Sequence, residues 1–254
     1  MLKLFSAAIL AACLAGCCTN VEPISRVEAV YAPGLRVDAG MSDPAWQKAP
    51  EYRLRCYRNF QHLPEKTVAA IEAGKYEVQA SAKLLYDDEN LYIGCRIEND
   101  DIWTLDQQDQ LRHYLTGDVF EVFLKPEESN AYLELYATPS GNKSAFYFPS
   151  RAFGGTVLID RQKLMRGIEV VSEVDGTLND SSDADRGWTS VMTVSRKAVE
   201  EKLGIPLDSG RAWRILLAGY SFSGNRTFGE NFSHPLLPQL NYHLYEYYAP
   251  LTFR

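Results

Sequence analysis

Two stretches near the middle of the chain alternate apolar and polar residues with a period of two. Val78, Ala80, Ala82, Leu84 and Tyr86 alternate with Gln79, Ser81 and Lys83, and Leu91, Ile93, Cys95 and Ile97 alternate with Tyr92, Gly94, Arg96 and Glu98. That period sends one set of side chains to a buried face, so each stretch predicts a half-buried strand. Asp87-Asp88-Glu89-Asn90 between them is a run of turn formers, so the pair predicts a β-hairpin. Further strands are predicted at 27–31, 118–124, 131–137, 144–148, 156–159, 168–174, 188–194 and 213–220. Ser195 is placed to cap a short helix that runs to Leu203, with Val199 and Leu203 on one face, Gly204 as its stop and Pro206 just beyond. Many short strands with polar turns predict an all-β protein, an antiparallel β-sandwich of jelly-roll or immunoglobulin-like kind with one or two short helices.

The N-terminus follows a different pattern. Lys3 precedes an apolar run from Leu4 to Leu14, and small residues lead to Leu14-Ala15-Gly16-Cys17. A charged start, a short apolar run and small residues read as a secretory signal, and the run is too short to span a bilayer. The Leu-Ala-Gly-Cys ending looks like a bacterial lipobox, which implies cleavage before Cys17 and a lipid on its sulfur. The expected organisation is a signal peptide at 1–16, a lipid-anchored tether at 17–26 and one β-sandwich domain at 27–254. The expected location is the cell envelope, with the lipid anchor in the outer membrane as the sole membrane contact. Cys56 and Cys95 are candidates for a disulfide in an oxidising compartment, which spacing alone does not establish.

Composition changes this picture in two ways. A net charge of −7 without any Lys/Arg run lacks the basic footprint that a phosphate backbone requires, so no nucleic-acid partner is expected. The 15 Tyr, 11 Phe and 4 Trp suit strands and also supply flat, half-polar binding surfaces.

Familiar catalytic motifs are absent: there is no G-x-S-x-G elbow, phosphate loop, H-E-x-x-H or dinucleotide fingerprint. His62, His113, His234 and His243 are scattered without metal-ligand spacing. Two carboxylates invite comparison with a glycosidase pair. Asp118 and Glu121 point to opposite faces of one strand, whereas Glu121 and Glu134 on successive strands can share a face. Val119, Glu121 and Phe123 line one strand face, and Tyr132, Glu134 and Tyr136 line the next. A carboxylate among large apolar neighbours is costly if dry, so that face is expected to meet water or a polar ligand. A sugar suits it, because C–H faces pack on aromatic planes and hydroxyls take directional hydrogen bonds. A plain solvated sheet face is the alternative.

The order of "SDPAWQKAP", "AKLLYDDENLYIGCRIENDDI", "GDVFEVFLKP", "YLELYATPSG", "GWTSVMTV" and a closing "YYAPLTF" resembles the family 9 carbohydrate-binding modules, from about Val37 to Phe253. That resemblance implies an antiparallel β-sandwich that binds a poly- or oligosaccharide without cleaving it, between two aromatic rings and with a carboxylate on its hydroxyls. Carried over by position, Glu121 is that carboxylate, Tyr114 is one ring, and Tyr242, Tyr245 and Tyr247 compete for the second, with Glu134 nearby; Trp103, which follows the acidic loop, is a candidate for either the binding face or the core. The chain departs from the family where tyrosines replace its tryptophans and where "TSVMTVSRKA" follows Trp188, which leaves the sugar specificity open. Three other readings remain beside it: a glycoside hydrolase using Glu121 with Glu134 or Asp118, a haem-binding relative with Met165 or Met192 and His113 or His234 as ligands, and an envelope scaffold. Asp87, Asp88 and Glu89 read as turn residues, Glu98 as a strand end, and Asp100 and Asp101 as a loop. Calcium on these clustered oxygens is the alternative.

Overall fold

The chain's structure, a computed structural model, describes residues 26–57, 79–105, 107–151, 165–222 and 229–254. The predicted hairpin forms from β3 (Gln79–Tyr86) and β4 (Asn90–Glu98), paired from Gln79 opposite Glu98 to Tyr86 opposite Leu91. Its turn is closed by Asp87, whose Oδ1 accepts from the backbone N–H groups of Glu89 (2.9 Å) and Asn90 (2.7 Å) and whose Oδ2 accepts from the Tyr92 hydroxyl (2.7 Å). Asp87 therefore acts as a turn lock, as its residue type predicts.

The remaining strands are β1 (Val27–Tyr31), β2 (Tyr52–Cys56), β5 (Val119–Pro126), β6 (Tyr132–Ala137), β7 (Lys143–Phe148), β8 (Ile168–Asp175), β9 (Gly187–Ser195), β10 (Trp213–Phe222), β11 (Gly229–His234) and β12 (Ala249–Phe253). In one sheet β7, β6, β5 and β10 lie side by side, and β10 divides its far edge between β11 and β12. In the other, β2, β3, β4, β9 and β8 lie in that order. Two strands pass between the sheets. β1 pairs through Val27–Ala29 with β12 and through Val30–Tyr31 with β3, both parallel. β2 pairs through Tyr52–Leu54 with β3 and through Arg55–Cys56 with β11.

The fold is the expected antiparallel β-sandwich, apart from the two parallel ladders of β1. Alternate residues of both sheets meet in the interior: Phe120, Val122, Leu124, Leu133 and Leu135 from the first, and Leu91, Ile93, Trp188, Met192 and Val194 from the second. The helix α1 (Arg196–Leu203) begins where the Ser195 hydroxyl accepts from Ala198 N–H at 3.3 Å and ends at Gly204, in the left-handed region at φ +72°. The predicted strand at 156–159 and the lipobox at Cys17 lie outside the described residues. Cys95 is sealed in the core and the Cys56 thiol donates to Glu230 Oε2 at 3.6 Å, so no disulfide joins them.

Gly187 shows how closely β9 is seated on β4. Its φ is +135°, and a Cβ there would lie 2.2 Å from the Ile97 carbonyl oxygen. Backbone cannot yield as a side-chain tip can, so Gly187→Ala is expected to lower stability by about 2–3 kcal/mol. Urea denaturation checks this: an unchanged midpoint would show that the two strands are not held at this distance.

Candidate functional site

Because the side-chain period is two, the inward set of β5 leaves Val119, Glu121 and Phe123 on the outer face of the first sheet. The same rule puts Tyr132, Glu134 and Tyr136 there from β6, Phe146 and Phe148 from β7, and Leu216, Ala218 and Tyr220 from β10. Glu121 has Tyr136 and Ala218 as direct cross-strand neighbours, and Glu134 has Phe123. Ala218 is the small residue in this row and leaves room above Glu121.

Two irregular segments stand over that face. The loop before β5 is tied to β7 by Gln110, whose Nε2 donates to the Ala145 carbonyl (2.7 Å) and whose Oε1 accepts from Ala145 N–H (3.1 Å). This tie carries Arg112 and Tyr114 over β6, with the Tyr114 ring 6.4 Å from Tyr136 and 5.6 Å from Tyr220. From the other side, the chain between β11 and β12 crosses the sheet with Leu237, Tyr242 and Tyr248 buried against it. Between these segments lies a cleft of about 620 Å³, with Glu121, Glu134 and Tyr136 toward the sheet and Tyr114, Tyr220, Asn241, Tyr242 and His243 among its walls.

The electrostatics of the cleft are set by burial. Glu121 is 1% exposed and Glu134 6% exposed. Burial raises the Glu121 carboxyl well above the usual range, and the neighbouring Glu134 charge adds to it. Burial also raises Glu134 to about 7, against the Tyr136 hydroxyl, which donates to Glu134 Oε1, and the field of Arg112. Glu121 Oε1 is buried and has no hydrogen-bond partner among the described residues. Burial lowers His243 to about 4, so its ring is neutral at pH 7, with Nδ1 2.7 Å from the Tyr132 hydroxyl. A site so built offers hydrogen-bonding carboxyls among π faces.

Sequence-predicted residues divide between this cleft and elsewhere. Tyr114, Glu121, Glu134 and Tyr242 come together in it. Tyr242 enters as a buried wall, 5% exposed, rather than as an open ring. Trp103 lies elsewhere: it is 8% exposed in the loop after β4, where its carbonyl accepts from Asp118 N–H. Tyr245 stands edge-on to Tyr132 at 5.7 Å, with Lys125 and Arg151 over its ring, outside the cleft lining, and Tyr247 is an exposed surface residue. Asp118 is fully buried and turned away from Glu121. It accepts from Asn99 Nδ2 (2.7 Å), Trp103 N–H (3.4 Å) and Phe222 N–H (2.7 Å), which makes it a tie between loops and not a partner of Glu121.

The haem ligand pairs are not assembled. His113 packs on Tyr136 at the outer face, His234 packs on Tyr52, Met192 is enclosed between β4 and β8, and Met165 opens a turn before β8. Among the described residues no three His, Cys, Asp or Glu side chains gather as metal ligands. Of the acidic stretch, Asp87 locks the turn, Asp88 accepts from the Tyr31 hydroxyl and Asp101 accepts from Ser181.

Sequence reasoning missed Arg112, Tyr220, Phe146, Phe148 and His243 as cleft residues. Tyr220 shares the period-two face of Ala218, and Phe146 and Phe148 do so on β7, so alternation held that signal. His243 lies in irregular chain and has none.

No protein-family model matches the chain, and no curated protein matches it in sequence. Solved structures do share its fold. A Bacteroides uniformis protein to which carbohydrate binding has been ascribed aligns with a TM-score of 0.64 at 10% identity, over 90% of this chain and 99% of that one. A family 9 carbohydrate-binding module from Caldicellulosiruptor kristjanssonii, in complex with cellotriose, aligns with a TM-score of 0.58 at 13% identity, over 91% of this chain and 94% of that one. Its complex with glucose gives the same score and identity over 91% and 96%. The chain thus has the β-sandwich fold of these modules, at identities that establish architecture alone.

Proposed function

We propose that the chain binds carbohydrate, without cleaving it, in the outer-face cleft of the first sheet. The observation that carries this reading is Glu121, a buried carboxyl that lines a cleft walled by tyrosines and has one oxygen without a partner among the described residues. A sugar supplies both hydroxyls for such a carboxyl and C–H faces for such rings. The fold shared with modules solved with glucose and cellotriose supports the same choice. We further propose that the lipobox at Leu14-Ala15-Gly16-Cys17 attaches the domain to the outer membrane through Cys17, so that the cleft works at the cell envelope.

Tyr114 tests the location. It is half-buried at the cleft wall, so Tyr114→Ala removes stacking area without opening the core. The expected result is about tenfold weaker binding of the glycan that the chain retains, with an unchanged melting temperature. Full affinity in the variant would place the binding surface somewhere else.

A further inference from the structure

The acids of the cleft define its ligand more narrowly than "a sugar". Glu121 and Glu134 share one face and one cleft. The Tyr136 hydroxyl donates to Glu134 Oε1 and also lowers Glu121 against its burial, while Glu121 Oε1 has no partner among the described residues. Their direct cross-strand neighbours on β5 and β10, Phe123 and Ala218, offer no hydrogen bond. Facing the pair are Arg112 and Tyr114 from the loop before β5, Tyr136 on β6, Tyr220 on β10, and Tyr242 and His243 from the C-terminal crossing. Arg112 is exposed at the rim and acts on Glu134 through its field, and His243 is neutral. The pair is therefore two desolvated acids set among aromatic residues, and among the described residues Tyr136 is the side chain seen to donate to it.

A neutral sugar can donate a hydroxyl to either carboxyl, but it brings no charge to offset the desolvation of two acids in one cleft. A cation meets every part of it: carboxylates attract it, and tyrosine faces present the negative side of their quadrupole to it. We propose that the natural ligand is a glycan bearing a free amine, an amino sugar whose ammonium group is drawn to Glu121 and Glu134 among the surrounding tyrosines. This rests on the carbohydrate reading above and names its chemical class. Burial raises both acids, so an ammonium that pairs with either carboxylate at a pH below that raised value displaces its proton. A Glu carboxyl loses H⁺ to buffer, the carboxylate left behind pairs with R–NH₃⁺, and no bond to carbon changes.

The test uses three β-1,4-linked tetrasaccharides that differ only at C2: glucosamine, N-acetylglucosamine and glucose. Each is titrated calorimetrically into the purified chain at about pH 5.5, where the free amine is already an ammonium and the pair is protonated, in two buffers of different ionisation enthalpy. The expected result is at least tenfold tighter binding of the glucosamine tetramer than of either other, with a buffer-dependent heat that reports proton release. In Glu121→Gln, and independently in Glu134→Gln, the preference and the proton release both collapse. Equal affinity for the glucose and glucosamine tetramers, a preference for the acetylated one, or binding without proton release would overturn the proposal and leave the carbohydrate reading standing. Failure of all three to bind would overturn the proposal, and a glycan array without a retained glycan would then overturn the carbohydrate reading as well.

Discussion

At pH 8 the chain melts at least about 10 °C below its melting temperature at pH 6. Three buried carboxyls cause this. Burial raises Asp118 to about 8 despite its three donors, raises Glu134 to about 7, and raises Glu121 in the same direction with help from the Glu134 charge. Unfolded, such groups ionise near pH 4. Between that value and their folded values, the folded chain holds protons that the unfolded chain has released, so stability falls as pH rises. His243, lowered to about 4, and His234, also lowered, act in the opposite sense, but only until an unfolded histidine loses its proton near pH 6.5. Above that the carboxyls dominate. Each costs about 1.4 kcal/mol per pH unit over which it is protonated only in the folded chain. Calorimetric melting at the two pH values checks this, and Asp118→Asn, which carries no charge, should reduce the drop. A melting temperature that rises from pH 6 to pH 8 would show that these carboxyls are ionised in the fold.

Tyr242→Ala is expected to lower stability by about 3–5 kcal/mol and to abolish glycan binding together. The Tyr242 hydroxyl lies 2.9 Å from the Gly219 carbonyl oxygen and 3.0 Å from that of Phe232, and its own carbonyl accepts from the Tyr248 hydroxyl. Its ring sits 5.4 Å from Tyr220, 6.0 Å from Phe123 and 6.1 Å from Tyr57. One side chain thus pins the C-terminal crossing to the sheet and closes the cleft. Truncation leaves a cavity and two buried carbonyls without that donor. Tyr242→Phe keeps the ring, so it should cost about 1 kcal/mol and retain binding. Urea midpoints and glycan affinity of both variants separate these effects. Binding that survives in the alanine variant would mean that the crossing is not part of the site.

Alternation made the β3–β4 hairpin, β5, β6, β9 and β10 legible, because each has one face in a single core and the other elsewhere. It also exposed Glu121 and Glu134 as acids among apolar neighbours, the trace that the cleft leaves in sequence. β2 alternates too, Tyr52, Leu54 and Cys56 against Arg53 and Arg55, but it is short and divides its pairing between two sheets. β11 carries a single large apolar residue, Phe232, and β12 opens on Ala249-Pro250, so neither presents a run to read. The segment from 235 to 248 has no period at all; its place is set by tertiary bonds such as those of Tyr242. Trp103 illustrates the remaining ambiguity, since a large aromatic residue in a loop serves a core and a binding face equally well in sequence. Burial decides for the core.

The most direct test of the central claim is a glycan-array screen of the purified chain, with and without calcium and with hydrolysis products monitored, run beside Tyr114→Ala. The expected result is a retained glycan, no released product, and binding about tenfold weaker in the variant. Cleavage of a bound glycan would contradict binding without hydrolysis, and an array without a single bound glycan would contradict the assignment of the cleft to carbohydrate.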